Sequence, residues 1–351
     1  MKVLVQNYHF SDLWRMRFSI FNTLLRPRKI INLLKIEFSK LLKLEKAYGI
    51  VPHFMIGITR NCNYKCTNCM RQLNPVEEQK LEEQKFKNLD MPLEQFKKII
   101  DEVGPDVLTL RLYHWGEPLV HKDFFKMVRY AKKHNIFTLT SSNLGLLTPK
   151  MADEMIDSHL DYLIISFNAA TEETYSEYTG GGDFKKVVGN IKYLMKRKKE
   201  MKSKYPFVNL QFIPLRINEH EIDKIKKLAK EIGVDKLSFK TCHVPNPEAQ
   251  KKIDVTNPKL QINAENKNKH VNWCEIPWQE CIVCANGDTT TCTVDIFNSE
   301  LMGNAFQKSF KDIWNGERFQ KFRKRVKEDK YAIGICRYCQ KTNNRDVFIE
   351  I

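Results

Sequence analysis

The sequence predicts an α/β fold, a partial six-stranded parallel (β/α) barrel followed by a small cysteine-bearing C-terminal domain. Two observations carry this. From residue 53, short apolar stretches alternate six times with longer amphipathic ones, and ten cysteines fall in two groups, three at 62–69 and six between 274 and 339, with Cys242 alone. Strand–helix repetition implies a parallel sheet with right-handed crossovers, and six units are too few to close an eight-stranded barrel. A chain of 351 residues has room for one large domain and a smaller one. No apolar run reaches the eighteen or so residues of a membrane span, and no signal-peptide core is present, so a cytoplasmic protein is expected.

Residues 1–50 read as a basic, amphipathic helical segment. In Ile30–Leu44 the apolar positions recur at helical spacing with Lys29, Lys35, Lys40 and Lys43 between them. Such a helix is expected to cover a hydrophobic edge of its own domain, with peripheral contact to an anionic membrane as the alternative. Residues 51–244 form the barrel, with strands at His53–Thr59, Val107–Tyr113, Ile136–Thr140, Tyr162–Phe167, Phe207–Pro214 and Lys236–Lys240. Helices are expected at Pro92–Val103, Lys122–His134, Pro149–His159, Phe184–Lys202 and Glu219–Ile232. A linker over 245–269, rich in Pro, Asn and Lys, leads to the small domain at 270–351. Its charged helices, Ser309–Trp314 and Glu317–Lys327, are too meagre to build a core alone, so a metal would help hold it together.

The formal net charge of +16 directs attention to nucleic acid, an acidic membrane surface or an anionic substrate. Much of it is scattered on helix faces (Lys196, Lys198, Lys199, Lys202, Lys204), and no basic stretch is interleaved with aromatic residues. No nucleic-acid partner is expected.

Cysteine-rich cytoplasmic chains point to metal or redox chemistry rather than disulfides. Directly after the first strand comes Thr59-Arg-Asn-Cys62-Asn-Tyr-Lys-Cys66-Thr-Asn-Cys69. Three thiolates on one loop can hold three irons of a cubane and leave the fourth open; zinc with a remote fourth ligand is the competing reading. Placed after the first strand of a six-unit repeat, this Cys-x3-Cys-x2-Cys loop resembles the radical S-adenosylmethionine superfamily. The resemblance implies that Cys62, Cys66 and Cys69 bind a 4Fe–4S cluster that cleaves S-adenosylmethionine. Asn68 stands where the family often has an aromatic residue, and Tyr64 is expected to supply that packing.

The second strand ends in Trp115-Gly116-Glu117-Pro118, which resembles the family's GGEP motif, with Trp115 for its first glycine. The resemblance implies that backbone carbonyls and the Glu117 side chain accept from the methionine ammonium. Short polar residues at the next strand ends, Ser142, Asn143, Ser166 and Asn168, suit ribose hydroxyls and the methionine carboxylate. The run from Ser166 through Gly180-Gly-Gly-Asp-Phe184 resembles family members with a SPASM domain, many of which carry Arg where Thr179 stands. Arg216 is the substitute carboxylate partner. His114 is the candidate proton acceptor; His121 reads as a helix start.

Cys274, Cys292 and the pair Cys336-Arg-Tyr-Cys339 supply four thiolates, enough for zinc or a closed 4Fe–4S site. With Cys274-x-x-Pro-Trp278 and Gly303-Asn304…Ile313-Trp314-Asn315, this region resembles the SPASM family, implying a second, auxiliary 4Fe–4S cluster in a shortened single-cluster domain. Cys281, Cys284 and Cys242 are expected to be free thiols. The shortened form resembles the butirosin-pathway dehydrogenase and implies oxidation or modification of a C–H bond. Alternatives are a peptide- or protein-modifying maturase, disfavoured by the want of a separate leader-recognition domain, and a non-catalytic iron–sulfur or zinc electron-transfer protein. A small-molecule or peptide substrate and an electron donor such as flavodoxin or ferredoxin complete the expected partners.

Overall fold

The computed structural model describes residues 25–67, 69, 89–240, 251, 253–257, 260, 272–293, 295, 298–337 and 339. Cys242, residues 1–24 and most of the 245–269 linker lie outside them. Six parallel strands, β1 (His53–Ile56), β2 (Thr109–Arg111), β3 (Phe137–Ser142), β4 (Tyr162–Ser166), β5 (Phe207–Phe212) and β6 (Lys236–Phe239), lie side by side in sequence order. Among the described residues β6 is an open edge, as an incomplete barrel requires.

Side chains alternate along each strand. Phe54, Ile56, Leu110, Leu163, Ile165, Val208 and Leu210 enter the helix-packed core, while Phe137, Leu139, Tyr162 and Phe207 form a smaller cluster on the other face. The covering helices are α2 (Leu93–Val103), α3 (Phe124–Lys133), α4 (Pro149–Asp157), α5 (Glu172–Thr179), α6 (Phe184–Glu200) and α7 (Ile222–Ile232), preceded by α1 (Pro27–Leu41). β1 and β2 stop short of the apolar runs that predicted them. Their last residues leave the ladder to build the rim, where Thr59 bridges Asp90.

The C-terminal segment does not stand apart from the barrel. β7 (Glu280–Val283) pairs parallel with β1, and β8 (Asp288–Thr290) and β9 (Gly303–Asn304) extend the sheet antiparallel to nine strands. With α8 (Ile276–Gln279), α9 (Phe310–Trp314) and α10 (Glu317–Asp329), it adds Trp278, Phe310, Trp314, Phe319, Phe322 and Val326 to the barrel's own core. Phe310 meets Phe54 of β1 edge-on at 4.8 Å between ring centres.

Polar contacts strap residues 44–49 to this unit. Trp278 Nε1 donates to Leu44 O at 2.7 Å, Trp314 Nε1 to Gly49 O at 2.9 Å, and Asn315 exchanges two bonds with the Ala47 backbone at 2.9 Å each. Arg323, fully buried, donates to Pro277 O and Glu45 O and lies over the Trp314 ring at 4.4 Å. Burial of large aromatic surface on a shared core supplies what a small separate domain would have needed a metal to supply.

α1 reverses the expected orientation. Its inward residues are Lys29, Asn32, Ile36 and Ser39, three of them polar. Lys29 Nζ donates to Val107 O at 2.7 Å and Asn135 O at 2.9 Å, just ahead of β2 and β3. Asn32 bonds Ile50 O and Asp106 O, and Arg28 pairs with Asp106 at 2.8 Å. The helix is thus fastened by carbonyl acceptors at the N-terminal ends of the strands, and its apolar stripe is left outside.

Burial, then Lys132 and Arg26, pull the Lys29 amine from 10.5 down to about 7. Between those values the unfolded chain holds a proton that the folded chain has released. Stability should therefore rise with pH over this window, by at most about 1.4 kcal/mol per unit. Lys29→Met should flatten that slope, measured by urea unfolding at pH 7.5 and 9.5; an unchanged slope would remove Lys29 as its source.

Candidate active site at the strand ends

Residues 59–69 cross the C-terminal ends of β1 and β2. Cys62 is exposed, and Cys66 and Cys69 are half-buried. Cys69 N donates to Cys66 O at 3.0 Å, closing a turn between the two cysteines. Burial, then the neighbouring Cys69 and Cys62 thiols, push the Cys66 thiol up to about 12. A metal reverses this, because it takes the thiolate and releases the proton.

Two contacts fix the loop. Lys65 N donates to Thr179 O at 3.2 Å and Thr67 N to Tyr178 O at 2.9 Å, so the last turn of α5 acts as a strand-like edge for the cysteines. Gly180 then turns away with φ +71°; a Cβ there would stand 3.1 Å from Lys65 O. The sequence signal for α5 was readable: Thr171 caps Thr174 N at its start, and Gly180 holds the left-handed position at its end. Tyr64 supplies the expected packing, edge-on to Tyr175 and pressed against Gly145, where a Cβ would come within 2.4 Å of its hydroxyl.

The Gly116-Glu117-Pro118 motif grips the same loop. A Cβ on Gly116 would sit 2.4 Å from Thr59 O and 2.9 Å from Asn61 O, and Glu117 N donates to Asn61 O at 2.8 Å. Glu117 itself points inward and is buried. Its carboxylate accepts from Leu119 N at 3.0 Å, Ser142 Oγ at 2.7 Å and Asn143 N at 2.8 Å. Burial pushes its pKa up, and these three donors oppose the rise. The side chain expected to receive an ammonium is therefore engaged in joining the β2 and β3 ends.

Other predicted contacts divide similarly. Ser142 is buried and also accepts from Leu144 N at 3.0 Å. Asn168 is buried, accepting from Ile213 N and donating to the Tyr178 hydroxyl, both at 2.8 Å. Arg216 faces outward and donates to Lys251 O and Asp254 O, because Leu215 takes the inward position beside Ile253. Asn143 and Ser166 are half-buried at the strand ends, with the Ser166 hydroxyl 3.0 Å from that of Ser141; Pro118 begins a short 3-10 turn.

His114 presses on Gly57 of the β1 end, and its Nε2 is closed off from solvent without a hydrogen-bond partner. Burial first, then Arg60, lower its pKa to about 3. The ring is therefore neutral at pH 7. His121 accepts from Asp123 N and faces Met91 O, a structural position ahead of α3.

The second group gathers below the β7–β8 hairpin. Burial and the Cys292, Cys274 and Cys339 thiols raise the Cys336 pKa, so those three thiols lie within electrostatic reach of Cys336. Cys339 N donates to Cys336 O at 3.0 Å, repeating the turn at Cys66 and Cys69. Cys281 and Cys284 are buried instead; Cys281 Sγ donates to Thr290 O at 3.5 Å, and burial pushes the Cys284 thiol up to about 12. Among the described residues no three His, Cys, Asp or Glu side chains close around a single ion position. Cubane ligation instead puts each thiolate on a different iron, so thiol-only sets of three and four fit such groups.

Comparison with known proteins agrees with this geometry. The radical SAM superfamily matches residues 56–229, and an iron–sulfur cluster-binding domain, SPASM, matches 274–340. A tungsten-containing aldehyde ferredoxin oxidoreductase cofactor-modifying protein from Pyrococcus furiosus is 24% identical over 313 residues, covering 78% of this chain and 83% of its own. The mycofactocin maturase of Mycolicibacterium smegmatis is 22% identical over 309 residues, covering 80% and 74%. The fold is shared with Streptococcus suis SuiB bound to S-adenosylmethionine, with a TM-score of 0.62 at 15% identity over 86% of this chain and 75% of that one. With the two family regions spanning the barrel and the C-terminal unit, the chain belongs to the radical S-adenosylmethionine superfamily and carries a SPASM iron–sulfur domain.

Proposed function

We propose that Cys62, Cys66 and Cys69 hold the 4Fe–4S cluster that binds S-adenosylmethionine, and that Cys274, Cys292, Cys336 and Cys339 hold the auxiliary one. The observation that carries this is the gathering of seven thiols into two sets, three on the strand-end rim and four beside β8, with Cys281 and Cys284 packed away in the core. When bound, the rim cluster and cofactor supply a 5′-deoxyadenosyl radical that abstracts hydrogen from a substrate.

The chain's residues position and enclose. Gly116 lets backbone approach the cysteine loop, and Glu117, Ser142 and Asn168 fix the ends of β2 to β5 as positioning residues. Gly116, Pro118, Asn143 and Ser166 remain to line the cofactor. A closed four-thiolate site has no open position for substrate, so its role is to pass an electron. The net charge of +16 favours an acidic protein donor, such as a flavodoxin or ferredoxin.

Oxidation or modification of a substrate C–H bond follows. A peptide substrate is the reading favoured by the relatives, one a mycofactocin maturase and another solved as SuiB bound to precursor peptide SuiA. Anaerobic reconstitution with iron and sulfide, then S-adenosylmethionine and dithionite, should release 5′-deoxyadenosine. Loaded protein that releases none would overturn the enzymatic reading in favour of an electron carrier.

In the same assay Cys336→Ala with Cys339→Ala should lower iron from about eight to about four per chain while sparing 5′-deoxyadenosine release. The fold should survive, since Trp278, Trp314 and Arg323 seat the unit on the shared core. Circular dichroism checks this; global unfolding would return the metal to a structural role.

A further inference from the structure

The large apolar side chains left most exposed gather at one place. Among the described residues these are Leu25 just ahead of α1, and Ile31, Leu34, Phe38, Leu41, Leu42 and Tyr48 on α1 and the turn after it, Leu34 at 63% and Leu41 at 77% exposure, while Lys29 on the opposite face is 2% exposed. Ile31, Leu34, Lys35, Phe38 and Tyr48 line a shallow groove along the helix. Lys35, Lys43 and Lys46 are exposed on the same segment, with Lys43 over the Trp273 ring at 4.5 Å. Such patches on a folded chain mark contact surfaces.

We propose that this face docks on an anionic lipid bilayer, α1 lying in the interface with its leucines and Phe38 in the acyl boundary. Charge complementarity favours lipid over an apolar protein partner, because Lys35, Lys43 and Lys46 stand exposed on the same segment as the stripe, where anionic headgroups would meet them. Among the described residues no helix is long and apolar enough to cross a membrane, which fits a helix that lies on the surface.

The placement has a consequence for the site. α1 is anchored at Val107 and Asn135, at the N-terminal ends of β2 and β3, whereas the cysteine loop crosses the C-terminal ends. A docked molecule would hold its reactive rim away from the lipid, open to a substrate and a reductant arriving from water.

Co-sedimentation of the full-length holoenzyme with vesicles tests this. Binding is expected to phosphatidylcholine vesicles containing about one-third phosphatidylglycerol, weakening with salt, and not to phosphatidylcholine alone. Leu34→Gln with Leu41→Gln should lower vesicle affinity at least about tenfold, and Lys35→Glu with Lys43→Glu should do likewise, with iron content and 5′-deoxyadenosine release unchanged. Failure of the wild-type chain to bind, or binding indifferent to both pairs, would overturn the proposal. A full-length chain that binds only after removal of residues 1–24 would show that those residues cover the face, which also overturns it.

Discussion

Cys66→Ala should abolish 5′-deoxyadenosine release, at least about a thousandfold below the wild-type chain, with Cys62→Ala and Cys69→Ala doing the same. Three thiolates bind three irons, so no spare ligand exists on the loop to replace a lost one. Iron should fall from about eight to about four per chain as the rim cluster is lost and the auxiliary one remains. The loop itself should stay in place, because its anchors are backbone bonds, Lys65 N to Thr179 O and Thr67 N to Tyr178 O. Cys281→Ala and Cys284→Ala provide the contrast. Both thiols are buried and protonated, so their loss should cost about 1–2 kcal/mol of stability while sparing iron content and cleavage. Anaerobic iron analysis with chromatographic detection of 5′-deoxyadenosine reads both arms. Cleavage persisting above a tenth of the wild-type rate in Cys66→Ala would sink the assignment.

What the sequence discloses is what depends on neighbours along the chain. The cysteine spacing, the Gly116-Glu117-Pro118 turn and the six-fold strand–helix alternation are local, and all are present in the fold. Features set by distant partners are not legible in the same way. Periodicity marks two faces on α1, yet only the carbonyls of Val107 and Asn135 decide that Lys29 turns inward. Glu117 has the right identity for an ammonium ligand; that Ser142 and the Asn143 amide capture it depends on where β3 ends. Likewise the parallel place of β7 beside β1 rests on a register some 227 residues apart, His53 against Glu280. Asn168 and Arg216 bond backbone groups that lie near them only in the fold, Ile213 N for the first and Lys251 O and Asp254 O for the second, partners that spacing along the chain does not reveal.

Gly116→Ala should damage cleavage heavily, though less than loss of a ligand, even though residue 116 would still carry no charge and bind no metal. The methyl carbon would lie 2.4 Å from Thr59 O and 2.9 Å from Asn61 O. Both are backbone atoms, and neither can rotate aside as a side chain would. Ordinary contact needs roughly 1 Å more, and the segment that must yield leads directly into Cys62. A misplacement of about 1 Å between reacting groups can cost about a hundredfold in rate. Cleavage should therefore fall by about that factor, while iron stays near eight per chain, because all the thiol ligands remain. Glu117 N would lose its bond to Asn61 O, adding about 1 kcal/mol of instability. The two readouts separate displacement from demetallation: a slow enzyme with full iron is the expected result, and a wild-type rate would show that the rim does not need this close approach. Iron lost together with activity would place Gly116 in cluster assembly instead, and the coupling between the β2 end and the cysteine loop would then be a matter of building the site rather than aligning it.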